Sequence, residues 1–162
     1  MTGGSSSSAG CIFCDAADEG RDGSPDSLVL FRGRLSYVIL NLYPYTNGHL
    51  MVVPNRHVGS LSATSEDELH EIVRFVRHGE AALGEAFQPQ GINVGINLGR
   101  AAGAGIVDHL HVHLVPRWAG DTNFISVIGE TRVLPEDLGE TARRLRPIFE
   151  RLWRGEASGH AS

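Results

Sequence analysis

The sequence predicts an α+β domain with a mainly antiparallel sheet, one long helix and a C-terminal helix. Three observations predict it. Short β-branched runs end at Gly, Pro and Asn clusters. One long segment carries apolar residues at three- and four-residue steps. The strands alternate irregularly with only two helical segments. In chain order, "MTGGSSSSAG" is a Gly/Ser stretch expected to be flexible over residues 1–10. "DEGRDGSPDS" is a second polar loop. "LVLFRGRLSYVILN" holds two strands around Arg32-Gly33-Arg34, "LYPYTNG" is a loop, and "HLMVVP" is a third strand stopped by Pro54. The long helix is "SEDELHEIVRFVRHGEAALGEAF", opened by the capping-box pair Ser65 and Glu68 with acids in its first turn. Its apolar stripe is Leu69, Ile72, Val73, Val76, Leu83 and Phe87, which leaves His70 and His78 expected at solvent. "GINVGINLG" is a fourth strand and "RAAGAGIVD" a Gly-rich loop. "DHLHVHLVPRW" is a fifth strand ended by Pro116, and the last helix spans Glu136 to Trp153. The domain is expected over 11–154, with a flexible tail at 155–162 that includes His160.

With 162 residues, 41% of them hydrophobic, the chain can bury a core without disulfides. A net charge of −5 and the absence of Lys/Arg runs exclude a broad electrostatic grip on nucleic acid. An anionic ligand must therefore be met locally, by imidazoles, backbone N–H groups or a single arginine. Two cysteines suit a reducing compartment. No apolar stretch approaches the ~18 residues of a membrane span, and the N-terminus lacks a signal-peptide pattern. The expectation is a cytoplasmic protein with no membrane partner.

His109, His111 and His113 alternate with Leu110, Val112 and Leu114. On a strand this puts three imidazoles on one face and three apolar side chains on the other. Burying three polar rings without partners would cost about 1–3 kcal/mol each, so the row reads as a site. Two chemistries fit it. The three could bind one catalytic zinc, or one could be a nucleophile, neutral near pH 7 and in need of no separate base. A backbone carbonyl holding Nδ1–H would then aim Nε2 at the substrate.

"CIFC" sets Cys11 and Cys14 three residues apart, a spacing that lets two thiolates share a zinc or form a redox pair. "VVPNRHV" offers His57 as a third ligand. With His109 as the fourth, the zinc would be closed and structural, and His111 and His113 would be left for chemistry.

The segment "HLHVHLV" has the pattern His-φ-His-φ-His-φ-φ, and the chain resembles the histidine triad (HIT) superfamily. The resemblance runs from "CIFC" through "YVILNLYPYTNGHLMVVPNRHV" and "GINVGINLG" to "DHLHVHLVPRW", roughly residues 11 to 128. Its flavour is that of the bacterial branch related to fragile-histidine-triad proteins and to diadenosine tetraphosphate phosphorylases or hydrolases. The resemblance implies a homodimeric HIT-like fold that cleaves nucleoside phosphates at the α-phosphorus. It implies that His111 is the nucleophile and that His113 contacts phosphate and helps the leaving group. It further implies zinc on Cys11, Cys14, His57 and His109, ribose at Asn41, and phosphate near Asn97. His49 falls where many members have a histidine near the site. The chain departs from the family where many members carry Gly-Gln-Ser/Thr before the first histidine; here "GAGIVDH" stands instead. Phosphate is then expected to meet the backbone around Gly105, Arg100 or Arg117, and the imidazoles.

The expected function is cleavage of a dinucleoside polyphosphate, such as diadenosine tetraphosphate, through a nucleotidyl-histidine. The alternatives are a nucleoside phosphoramidate hydrolase, a three-His zinc hydrolase, and an adenine-nucleotide-binding protein without turnover.

Overall fold

The computed structural model describes residues 9–19, 27–121 and 137–159. The expected flexibility of residues 1–8, the centre of the second polar loop and His160 lie outside these. Helix α1 (Ile12–Asp18) is followed by β1 (Val29–Arg32), β2 (Ser36–Leu40) and β3 (Leu50–Pro54). Helix α2 (Glu66–Phe87), β4 (Gly91–Ile96), β5 (Val112–Arg117) and α3 (Leu138–Gly159) complete the order. The five strands form one sheet in the order β1-β2-β3-β5-β4, with every neighbouring pair antiparallel. The α+β class and the strands expected from the sequence are those observed.

Every residue of β2 and β3 is buried, because both faces of the sheet are covered. On one face Val38, Leu40, Leu50, Val52, Val112 and Leu114 pack against Ile72, Phe75 and Leu83 of α2 and Leu145 and Phe149 of α3. On the other, Tyr37, Ile39, Met51 and Val53 pack against Phe13 of α1. The period-two alternation of β5 thus puts Val112 and Leu114 toward the long helices and the histidines toward α1.

The capping box of α2 forms as predicted: Ser65 Oγ accepts from Glu68 N–H and the Glu68 carboxylate accepts from Ser65 N–H. Gly79 is where α2 comes closest to the sheet, since a Cβ there would lie 2.8 Å from Leu114 Cδ2. The buried Glu71 closes the β1–β2 turn by accepting from Arg34 N–H, Leu35 N–H and Ser36 Oγ. Hydrogen bonds to a charged acceptor contribute about 1.5–3 kcal/mol each.

Five expectations are corrected. Helix α1 was absent from the sequence reading; seven residues are too few to be helical alone, and α1 is held by Tyr37 Oη–H donating to Phe13 O and by Arg32 donating to Ala16 O. Helix α3 runs through Gly159, not to Trp153, so the expected tail begins inside it. His78 is buried, and Val73 is 65% exposed while Phe75 takes the core position. The last two share one cause with the helix extension. α3 packs on the side of α2 that includes Phe75 and His78, Trp153 stacks on Phe75 at 5.4 Å, and Glu156 accepts from Arg74, Arg77 and His78 Nε2. These contacts outweigh the poor helix propensity of "GEASG". Pro116 does not end β5: it pairs with Ile92 beyond the last β3 pair (Leu50 with Leu114), where its missing N–H breaks no bond to β3.

Candidate active site

The three histidines are brought to one face but are given different tasks by their partners. His109 and His111 precede the paired part of β5, and His113 lies opposite Met51 of β3 and Gly95 of β4. The His109 ring donates Nε2–H to Pro54 O at 2.8 Å, since a carbonyl only accepts. Its Nδ1 is therefore unprotonated, and it faces Cys11 Sγ at 3.4 Å and Cys14 Sγ at 3.6 Å. His57 Nδ1 lies 3.2 Å from Cys14 Sγ.

The ligand atoms of Cys11, Cys14, His57 and His109 all fall within 4.8 Å of one another. Zn–S bonds of ~2.3 Å and Zn–N bonds of ~2.0–2.1 Å at tetrahedral angles place S and N about 3.5 Å apart, which matches these contacts. The Pro54 carbonyl supplies the outer hydrogen bond that fixes a ligating histidine's tautomer. The residues fit a closed four-ligand metal site. Among the described residues this is the group that could hold a metal, and it takes His109 away from the other two triad histidines. The three-His catalytic zinc considered from sequence alone is thus not assembled.

His111 donates Nδ1–H to the His109 carbonyl at 2.9 Å, the arrangement expected from sequence for an imidazole whose Nε2 keeps its lone pair. Phe13, inside the "CIFC" segment, packs its ring on both His109 (5.4 Å) and His111 (5.0 Å). Sequence reasoning took the segment's cysteines and missed this phenylalanine, whose contact depends on where α1 docks.

His49 completes a relay. Tyr45 N–H can only donate, so His49 Nδ1 accepts it at 3.2 Å and the His49 proton sits on Nε2. That Nε2–H donates to His113 Nδ1 at 3.0 Å, leaving the His113 proton on its own Nε2. Asn41 Nδ2 also approaches His49 Nε2 at 3.3 Å, but Tyr43 N–H fixes the Asn41 amide by donating to Oδ1, so two donors meet there without a bond. The His111 and His113 rings are 4.9 Å apart, edge to face. A lone pair on the His111 Nε2 and an N–H on the His113 Nε2 set an electron-pair donor and a hydrogen-bond donor on neighbouring rings.

Burial favours the neutral forms of His49, His109 and His113. It pushes His49 down to about 4, with His113 and His111 adding repulsion. It lowers His113, again with His111 contributing, and lowers His109 despite the Pro54 bond. An unfolded histidine titrates near 6.5, so between about pH 6.5 and 4 the unfolded chain binds protons that the folded chain refuses. Stability therefore rises with pH through that window and is lost as pH falls. His49 alone accounts for on the order of 3 kcal/mol at 1.36 kcal/mol per pKa unit. The urea midpoint is expected to drop between pH 7 and pH 5; a constant midpoint would contradict neutral burial of these rings.

The remaining expected residues are placed less uniformly. Asn41 follows β2 beside His49. Asn97 is exposed and follows the last β4 pair (Ile96 with Val112), which sets it across from His111. Gly105 is exposed in the loop that leads to the triad. Arg117 lies on the histidine face but four residues past His113, roughly 13 Å along the strand. Its guanidinium pairs with both Asp121 carboxylate oxygens at 2.8 Å and with Asn93. Arg100 starts a short 3-10 turn after β4.

Known proteins resemble this chain in sequence and fold. The HIT domain family matches residues 23–120. A protein of Mycobacterium tuberculosis named AP-4-A phosphorylase is 48% identical over 126 residues, 78% of this chain and 65% of that relative. The chain thus spans about 65% of that relative's length. The asymmetrical bis(5'-nucleosyl)-tetraphosphatase of Schizosaccharomyces pombe is 36% identical over 95 residues, 59% of this chain and 52% of its own. Among solved structures, a zinc-bound histidine triad family protein from Mycobacterium smegmatis superposes with a TM-score of 0.71 at 26% identity, covering 92% of this chain and 99% of that one. With the triad, its relay and the five-stranded sheet all in place, the match over most of the described core shows that this chain belongs to the HIT domain family.

Proposed function

We propose that the protein is an enzyme that cleaves dinucleoside polyphosphates of the diadenosine tetraphosphate kind at the α-phosphorus, with inorganic phosphate as acceptor. The observation that carries this reading is the pair of neighbouring Nε2 atoms, bare on His111 and protonated on His113. In the first step His111 Nε2 forms a bond to Pα and the Pα–O bridge breaks. His113 Nε2–H donates a hydrogen bond to the leaving oxygen, which departs as the nucleoside triphosphate anion. In the second step phosphate attacks Pα, the Pα–N bond breaks, and the nucleoside diphosphate leaves with His111 restored. The choice of phosphate over water is supported by the 48% identity to a relative named AP-4-A phosphorylase.

In this reading Asn41 holds the ribose, and Asn97 and the backbone around Gly105 hold phosphate. Arg117, paired with Asp121 about 13 Å along the strand from His113, is the candidate arginine for the distal phosphates. Cys11, Cys14, His57 and His109 would hold zinc, which would supply a structural cross-link. The exposed edge strand β4, with Val94 52% exposed, is the proposed seam of a homodimer. A cytoplasmic location is supported by the two free cysteines, which suit a reducing compartment. Among the described residues no helix is long and apolar enough to cross a membrane.

The test is incubation with diadenosine tetraphosphate, with and without phosphate, followed by separation of the products. ADP plus ATP formed only with phosphate is the expected result. AMP plus ATP without phosphate would make water the acceptor, and no cleavage in either condition would refute the dinucleotide reading.

A further inference from the structure

The loop between β2 and β3 presents aromatic rings to solvent while being held rigid. Tyr43 is 81% exposed and Tyr45 75% exposed. Yet the loop is pinned at several points: Tyr43 N–H donates to Asn41 Oδ1, Tyr45 N–H to His49 Nδ1, His49 N–H to Thr46 O, and Thr46 Oγ1 to Pro116 O. The Tyr45 ring lies flat on the buried His49 ring, with centroids 5.1 Å apart and planes 17° from parallel. His49 in turn lies 5.2 Å from His113. One face of Tyr45 is therefore fixed on His49, one ring away from His113, and the other face is open to water.

We propose that Tyr45 is a specificity-determining residue that stacks the base of the departing nucleotide; this rests on the dinucleoside polyphosphate reading. A nucleoside carried by the leaving polyphosphate exits past His113, on the side where Tyr45 stands. A ring held in place by His49 offers a stacking surface whose ordering cost is already met before substrate arrives. Stacking recognises the π-face of a base and tolerates its identity. Tyr45 is not among the groups that touch the reacting atoms: its hydroxyl is not needed, and its link to His49 runs through the backbone N–H, which any residue but proline supplies.

The experiment compares two substrates with the same α-phosphorus and the same four phosphates, diadenosine tetraphosphate and adenosine 5'-tetraphosphate, on wild type, Tyr45→Ala and Tyr45→Phe. Aromatic stacking on a base is expected to change the dinucleotide's KM, and Tyr45→Ala should lower kcat/KM for the dinucleotide about tenfold more than for the mononucleotide. The excess should lie in KM, and Tyr45→Phe should restore the wild-type ratio. Equal losses on both substrates in Tyr45→Ala would overturn the stacking role and leave Tyr45 as packing for His49. If wild type cleaves neither substrate, the dinucleoside polyphosphate reading itself fails, and the proposal with it.

Discussion

The His111→Gly protein is expected to fold and to cleave diadenosine tetraphosphate at least about 10⁴-fold more slowly than wild type, the scale seen when a covalent nucleophile is removed. The reason is geometric. His109 faces the cysteines, and the His113 Nδ1 is occupied by His49, so neither can take over as nucleophile. Because His111 is buried and packs on Phe13, its loss leaves a cavity; His111→Asn fills more of that space and checks that the defect is chemical. His113→Ala should cost less, about 10²–10³-fold, because only a hydrogen-bond donor to the leaving oxygen is lost. Product assays with equal amounts of folded protein measure all three. Mass spectrometry of wild type quenched during turnover, without phosphate, should find a nucleotidyl adduct that both His111 variants lack. A folded His111→Gly protein with full activity would refute the nucleophile assignment.

Removing the metal should act chiefly on stability. Cys14→Ser, or exhaustive chelation of wild type, is expected to destabilise the fold by several kcal/mol, since a structural zinc contributes its binding energy to folding. At about 2–4 °C per kcal/mol for a chain of this size, the expected fall in melting temperature is on the order of 10 °C. Without a cation the site is unfavourable: burial and the adjacent Cys11 thiol push the Cys14 thiol up to about 11. The effect on turnover should be smaller than that of His111→Gly but not absent. The His109 carbonyl that holds the His111 tautomer belongs to a residue of the proposed metal site, and Phe13, between the two cysteines, supports the His111 ring. Metal analysis and thermal melts before and after chelation test this. Unchanged melting after complete metal removal would rule out a structural role, and loss of activity as complete as in His111→Gly would assign the metal to the chemistry.

Local patterns were legible in the sequence because their physics is local. The capping box of α2 needs only Ser65 and Glu68 three residues apart, and it forms as read. The alternation of His109, His111 and His113 with Leu110, Val112 and Leu114 follows from a strand period of two, and the structure keeps the two sets on opposite faces. The pairing of "CIFC" with His57 and His109 was open to inference because few donor sets can complete a pair of thiols, and the four ligand atoms do converge. Periodicity did less well on the surface of α2. Val73 and His78 were assigned to opposite environments from those they occupy, since a stripe drawn for one sheet-facing side cannot anticipate a second helix. The end of α3 failed for the same reason: Glu156 is helical because Arg74, Arg77 and His78 receive it.

The sequence by itself determined the order of the five strands and the two long helices, the common face of the three histidines and a candidate metal-ligating set whose ligand atoms converge. Only the tertiary structure decided what each histidine does. A strand fixes the direction of a side chain, but an imidazole's tautomer depends on which atoms meet its two nitrogens. Those atoms come from distant segments: Cys11 and Cys14 for His109, and the loop-held His49 for His113. The partner of His111, the His109 carbonyl, is near in sequence but is aimed by a residue anchored to Pro54 and facing the cysteines. The pattern could be read from neighbours along the chain; the division of labour required neighbours in space.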